Sequence, residues 1–597
     1  MNPALRELAL VAGIEERYWD GLGVERTLTE ATAAALLAAL GFDPAGDPVA
    51  QCAALAEAGF LVPLPPACVL RGEGAAVLAL PEARGGERIA WSIECEDGTQ
   101  RTGECVPAEQ PALDAREIGG TRYARWPLPL PGDLPTGYHR LRLAAPAAES
   151  LLIVAPARCH IPAALAAGGR CWGFAVQLYT LRSAGNWGIG DFDDLAQLAA
   201  AAGAAGAAFI GLNPLHARHL VRAEEASPYA PSSRLFLDPL YIAVEAVDGY
   251  AQCAAAQAAV AAPAFREALA RAREATLVDY AAVTALKLPV LECLFAQFRA
   301  AGGDAAFDAF CRERGAPLAR FAEFEALRFV LQAQGHAGGW RSWPAEWRDP
   351  AGAALAGFRE TQAEAIAFQA WLQWQASCQL ARAAAAARSA GMALGLYRDL
   401  AVGAAHDSAE TWSAPALFAH DVSVGAPPDL LNRQGQSWGL PPWKPAALAA
   451  QGYRPFAELL AANMREAGAL RIDHVMALTR LFWIPAGMAG ADGGYVRNAL
   501  DALVAVLALE SARNRCMVIG EDLGSVPDGL RARLREEGLL SYRVLIYERH
   551  WLGDGEFCHP HEYPPQSLAT VATHDMPTLA EYWAGGDIAR REALGLF

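Results

Sequence analysis

The chain has 597 residues, of which 53% are hydrophobic and 19% charged, and its formal net charge is −17. That length exceeds one compact core and predicts two to four domains. The acidic balance disfavours nucleic acid and anionic membranes as partners. Twelve cysteines form no Cys-x-x-Cys pair and lie mostly in apolar contexts such as Leu291-Glu-Cys-Leu294, so they read as free thiols of a reducing compartment. The opening MNPALRELAL, followed by Glu15 and Glu16, lacks the basic start, long apolar stretch and small-residue cleavage site of a signal peptide. A cytoplasmic protein is expected. The Ala- and Gly-rich run Leu195 to Leu212 is preceded by Asp191, Asp193 and Asp194 and interrupted by Gln197. It reads as a helix and a short strand rather than a membrane span.

In chain order, residues 1 to 60 show helical periodicity (Leu5, Leu8, Leu10, Ile14, then Leu36, Leu37, Leu40), with Thr29 as a helix start. Residues 61 to 157 alternate in segments such as Gly137-Tyr-His-Arg-Leu-Arg-Leu143, separated by Gly, Pro and Asp turns, which predicts a small β-sandwich. From 165 to 597 the pattern becomes α/β. Strands are expected at Phe174–Leu178, Phe209–Leu212, Gly391–Asp399, Leu470–His474, Met517–Glu521, Val544–Tyr547 and Ala569–Thr573. An Ala-rich, helix-patterned block at about 245–390 reads as an insertion. The expected fold is a (β/α)8 barrel; with seven strands counted and Phe597 close behind the seventh, its last strand is expected to be missing.

Three of these segments set an acid after an apolar run: Ala469-Leu-Arg-Ile-Asp-His474, Val518-Ile-Gly-Glu-Asp522 and Thr570-Val-Ala-Thr-His-Asp575. Residues at the carboxyl ends of barrel strands converge on one face, so Asp473, Glu521 and Asp575 are candidates for one acidic site. Such an arrangement suits glycosidic bond cleavage, which needs one carboxylic acid to protonate the leaving oxygen and one carboxylate to attack. The alternative is that each acid caps the helix that follows. Arg471 lies on the strand face of Asp473 and can keep its carboxylate ionised. Asp522, beside Glu521, points away and reads as structural. His474 and His574 adjoin candidate acids and suit hydrogen bonds to sugar hydroxyls. The cluster Cys558-His-Pro-His-Glu562 has metal-ligand residue types, but Pro560 and Pro564 mark an exposed loop. With no Walker, dinucleotide or calcium loop either, no cofactor and no metal is assigned.

Several segments in order resemble the 4-α-glucanotransferases (amylomaltases), relatives of the α-amylases. They are Leu178-Tyr-Thr-Leu-Arg-Ser-Ala-Gly-Asn-Trp-Gly-Ile-Gly-Asp-Phe192, Ser227-Pro-Tyr-Ala-Pro-Ser-Ser233, Tyr397-Arg-Asp-Leu-Ala-Val402 and His406-Asp-Ser-Ala-Glu-Thr-Trp412. Gly425-Ala-Pro-Pro-Asp-Leu430, Gly435-Gln-Ser-Trp-Gly439, Arg471-Ile-Asp-His474, Gly520-Glu-Asp-Leu-Gly524 and Thr573-His-Asp-Met-Pro-Thr578 complete the series. The resemblance implies Asp473 as nucleophile, Glu521 as general acid/base and Asp575 as the acid that holds the sugar hydroxyls. It implies substrate contacts at Tyr229, which would stack on the sugar, and at Asp407, Arg471, His474 and His574. It also implies a contact from Trp438, on a loop over the site (Gly425–Trp443). The implied activity is retaining transfer of α-1,4-glucan segments between maltooligosaccharides, with glucose as an acceptor and no nucleic acid or membrane partner. An α-amylase-type hydrolase and a non-catalytic glucan-binding protein are the rival readings.

Overall fold

The computed structural model describes residues 1–597 apart from 73, 223–224, 430–431, 551–552 and 596–597. Its centre is a parallel sheet of seven strands: β1 (Gly173–Val176), β2 (Phe209–Leu212), β3 (Gly395–Leu400), β4 (Ala469–Ile472), β5 (Met517–Gly520), β6 (Leu540–Val544) and β7 (Ser567–Thr570). Each pairs in parallel with the next in chain order. Sequential parallel pairing is the topology of a (β/α) barrel, and it brings the strand carboxyl ends to one face.

Three strand positions differ from the sequence reading: β3 begins at Gly395, four residues after the expected Gly391. β6 runs over 540–544, and Leu545–Tyr547 is a 3-10 turn rather than a strand. Two polar positions of β6 are bonded to the carboxylate after β5, which helps conceal the strand: Ser541 Oγ and the Tyr542 N–H donate to Asp522, at 2.5 and 3.0 Å. β7 ends at Thr570, so Val571 to Asp575 form the turn beyond it.

The helix after β1 spans Phe192–Ala204 and is closed at its start by a reciprocal capping box between Asp191 and Asp194. With β2 it accounts for the Ala-rich run 195–212. Between β2 and β3 lies the helical insertion, including Ala254–Ala261, Pro263–Glu274, Tyr280–Ala300, Ala353–Thr361 and Ala363–Ser389. Tyr280–Ala300 is long and apolar enough to cross a membrane. Here it packs within the insertion's core, and its buried Lys287 donates to the carbonyls of Leu240 and Ile242 at 2.7 and 2.8 Å.

The β-sandwich precedes the barrel. A five-stranded sheet (67–70, 148–154, 137–143, 89–94, 100–105) faces a three-stranded one (74–81, 121–130, 114–118) over Leu78, Ile93, Trp126 and Leu141. Ahead of it, the helices Pro3–Val11, Glu30–Leu40 and Pro48–Leu61 bear out the helical reading, with the Thr29 hydroxyl capping the second. A short antiparallel hairpin, Arg17–Trp19 with Glu25–Thr27, was not foreseen. Leu8, Ile14, Leu36 and Leu37 pack on an antiparallel sheet ordered 436–440, 422–426, 480–485, 494–497, against Val422, Val424, Trp483 and Val496. Burying each such aliphatic side chain contributes about 1.5–3 kcal/mol, so this contact fixes the amino-terminal helices to the loops around the barrel's working face.

Candidate active site

β4 ends at Ile472 and presents Asp473, whose N–H continues the ladder to the Leu400 carbonyl at 3.0 Å. Asp473 is partly exposed. Arg471, two residues earlier on the same face, donates from Nη2 to Asp473 Oδ1 at 2.8 Å and from Nη1 to Asp399 Oδ1 at 2.7 Å. Its guanidinium lies 5.2 Å from the centre of the Tyr542 ring. Burial works against the Arg471 charge, but Asp399 and Asp473 outweigh it and hold the guanidinium well above its ordinary pKa.

Glu521 follows β5 and is buried, with 8% exposure. Its Oε2 accepts the His474 N–H at 2.9 Å and its Oε1 the Leu523 N–H at 2.8 Å. Burial pushes its pKa from the ordinary 4.5 up to about 7; the Asp473 charge adds to that, and Arg471 and the two N–H groups oppose it. Asp473, paired to a cation, and Glu521, pushed towards the protonated form, therefore sit in opposite electrostatic environments on adjacent strands. His474 reaches Glu521 because its backbone is left-handed, at φ +49°. Burial pushes its imidazole down to about 4, leaving it neutral near pH 7, and Trp438 meets it edge-on at 5.3 Å.

Neither Asp473 nor Asp575 caps a helix; Thr578 caps the one after β7, accepting the Glu581 N–H. Asp522 binds Arg531 at 2.9 Å besides Ser541 and Tyr542, which is the structural role expected of it. The sequence pattern places Asp575 at a strand end, but it stands five residues beyond β7 on the exposed turn. Its Oδ1 lies 3.2 Å from His574 Nε2, and that hydrogen bond holds the carboxyl below its ordinary pKa. His574 in turn stacks face to face on Tyr229, with ring centres 4.1 Å apart, and its Nδ1 is 3.0 Å from the Tyr229 hydroxyl. That hydroxyl donates to Asp399 Oδ2 at 2.7 Å. One hydrogen-bonded chain thus runs Asp575–His574–Tyr229–Asp399–Arg471–Asp473.

Asp407 lies apart from this chain. It packs against Gly339 of the helical insertion, where a Cβ would come within 1.9 Å of the carboxylate. Leu430, which ends one family-like segment, lies outside the described residues.

Two residues escaped the sequence reading. Asp399 is a buried carboxylate in β3, and the strand-end signal that singled out Asp473 marks it too. Tyr547, on the turn after β6, is raised in pKa by burial, with the charges of Asp429, Asp575 and Glu521 adding to it. It therefore lies within electrostatic reach of all three. On the loop of Pro560, His550, Cys558 and Glu562 each bring one ligand atom to within 4.8 Å of the others; His550 lies outside the motif read from the sequence.

A family model described as 4-alpha-glucanotransferase matches residues 176–595. The chain belongs to the 4-α-glucanotransferase family. A second model, the MalQ N-terminal beta sandwich domain, matches residues 63–156. A 4-alpha-glucanotransferase of Mycobacterium bovis is 38% identical, covering 100% of this chain and 83% of the relative. One of Haemophilus influenzae is 40% identical over 78% of this chain and 67% of the relative. Among solved structures, the amylomaltase from Corynebacterium glutamicum superposes with a TM-score of 0.85 at 34% identity, covering 100% of this chain and 82% of that one.

Proposed function

We propose that this 4-α-glucanotransferase works by double displacement, with Asp473 as nucleophile and Glu521 as the acid and then the base. The carrying observation is the contrast between the two carboxyls: Asp473 is paired with Arg471, while Glu521 is pushed up to about 7. In the first step an Asp473 oxygen bonds to the sugar C1 as the bond from C1 to the leaving oxygen breaks. The Glu521 proton passes to that oxygen. In the second, the 4-hydroxyl of another maltooligosaccharide, a starch-like glucan or glucose gives its proton to Glu521 and bonds to C1, releasing Asp473. Carboxyls about 5–5.5 Å apart suit this sequence.

In the same reading Asp575 holds sugar hydroxyls as the ring distorts, and the neutral His474 offers a further hydrogen-bonding group. Tyr229 stacks on the sugar with the face not covered by His574, and Trp438 lines the path of the chain. Asp407 makes an outer contact from the side of the helical insertion. The reading divides the chain into an amino-terminal helical segment (1–60), a β-sandwich (61–157) and the catalytic barrel (165–597). A reducing cytoplasm fits twelve free cysteines.

Maltotriose is the test. Transfer should convert it into glucose and a ladder of longer maltooligosaccharides, with little net rise in reducing ends. A steady rise in reducing ends without longer products would make the chain a hydrolase.

A further inference from the structure

The hairpin of residues 17–27 holds one indole in water on a rigid support. Tyr18 points inward, 5% exposed, edge-on to Phe482 and Tyr495 at 5.4 Å each. Strand alternation then turns Trp19 outward, and it is 63% exposed. The turn cannot flex easily: Asp20 Oδ1 accepts the N–H groups of Leu22 and Val24, both at 2.9 Å, and Oδ2 pairs with Arg26 at 2.8 Å.

The turn is joined to the loop that carries Trp438. The Gly21 N–H donates to the Pro428 carbonyl at 2.9 Å, and a Cβ on Gly21 would stand 2.6 Å from the Asp429 Cβ, so only glycine allows this approach. Pro428 and Asp429 lie on the connection between strands 422–426 and 436–440. At its other end this element sets Trp438 against His474, and Asp429 is within electrostatic reach of Tyr547. The element that sets Trp438 beside His474 thus also touches Gly21, two residues from Trp19. A single exposed apolar residue normally needs no explanation; this one is held on a braced turn that is hydrogen-bonded to the element carrying Trp438.

We propose that Trp19 is a remote glucan subsite, an aromatic platform on which the α-1,4-glucan packs several units away from the bond being cleaved. Sugar rings present an apolar face of C–H groups to such a platform, as other apolar bodies do. This gives the amino-terminal segment a part in selecting long chains, and it rests on the transferase reading above.

The test compares Trp19→Ala and Trp19→Phe with the wild type on long amylose and on maltotriose. The ratio of kcat/KM for amylose to that for maltotriose should fall about five- to tenfold in Trp19→Ala, the worth of one aromatic contact. Trp19→Phe should restore most of it. A ratio in Trp19→Ala within twofold of the wild type overturns the proposal. If wild-type protein makes no ladder from maltotriose, the transferase reading fails instead. Calorimetric titration of wild type and Trp19→Ala with a long maltodextrin then decides the subsite alone: weaker binding by the variant supports it, and equal affinity overturns it.

Discussion

Arg471 hydrogen-bonds Asp399 at 2.7 Å with one guanidinium nitrogen while the other holds Asp473 at 2.8 Å, so Asp399 sets the orientation of the group that orients the candidate nucleophile. Both Arg471 and Asp399 are buried. Removing one partner of such a pair typically costs about 3–5 kcal/mol, because a buried charge loses its counter-charge. Asp399→Asn keeps the shape of the side chain but gives Arg471 a neutral neighbour. Its thermal melt should drop, and turnover of maltotriose should fall on the order of 100-fold as Asp473 loses its alignment. A variant with wild-type turnover would remove Asp399 from the chain of contacts.

The pH profile follows from Glu521. In the double-displacement reading it donates its proton in the first step, so kcat/KM should decline as pH rises through about 7. Stability has the same sign. The folded pKa lies above the ordinary 4.5, so the stabilisation from protonated Glu521 is full below about 4.5 and is lost as pH rises through about 7. Glu521→Gln keeps the fold without that loss. Its activity should drop about 1,000-fold or more, and the melting-temperature gap in its favour should widen between pH 5 and pH 8. A gap independent of pH would mean that Glu521 ionises normally in the folded protein.

What was legible in the sequence was whatever left a local pattern. An apolar run closed by a carboxylate located Asp473 and Glu521, because a buried parallel strand must be apolar and its carboxyl end faces the site. Asp399 carries a weaker form of that mark: Tyr397 and Arg398 interrupt its run at two successive positions, where Arg471 alone interrupts that of Asp473. Arg398 is buried there because it donates to the Ala462 carbonyl across the fold, a contact no local pattern reveals. β6 is hidden for a similar reason, since its Ser541 and Tyr542 are held by Asp522. The hairpin around Trp19 has strands of three residues, too short for alternation to register. The Tyr229–His574 stack joins residues 345 positions apart and was open only to the structure.

That stack makes its own prediction. Tyr229→Phe retains the ring but loses the bond to Asp399, which is charge-assisted and worth about 1.5–3 kcal/mol. A roughly tenfold or greater loss in kcat/KM for maltotriose is expected. Tyr229→Ala also removes the stacking face and should be worse, mainly through KM. Equal kinetics for the two variants would show that the hydroxyl is everything and the ring nothing.

Asp575 should separate from its neighbour His574 by kinetics. If its carboxylate holds sugar hydroxyls as the ring distorts, Asp575→Asn removes an interaction that strengthens in the transition state. Such a change lowers kcat and kcat/KM together. His574→Ala instead removes the partner of both Asp575 and Tyr229, so its KM should rise as well. A rise in KM alone in Asp575→Asn would demote Asp575 to a binding contact.

Glu521 and Asp522 are adjacent acids with opposite surroundings, and their substitutions should have opposite effects. Asp522 is buried and accepts from Ser541, from the Tyr542 N–H and from Arg531, tying β5 to β6. Asp522→Ala leaves those donors without their acceptor, at about 1–3 kcal/mol each where they stay buried. The melting temperature should therefore drop by several degrees. Well below that melt, at a temperature where the variant is folded, transfer from maltotriose should persist within about tenfold of the wild type, because Asp522 is committed to Arg531, Ser541 and Tyr542. Glu521→Gln should show the reverse, a sound melt without turnover. Measuring both properties in both variants separates the roles: an Asp522→Ala protein that melts normally yet transfers no glucan would move the general acid one residue along the chain.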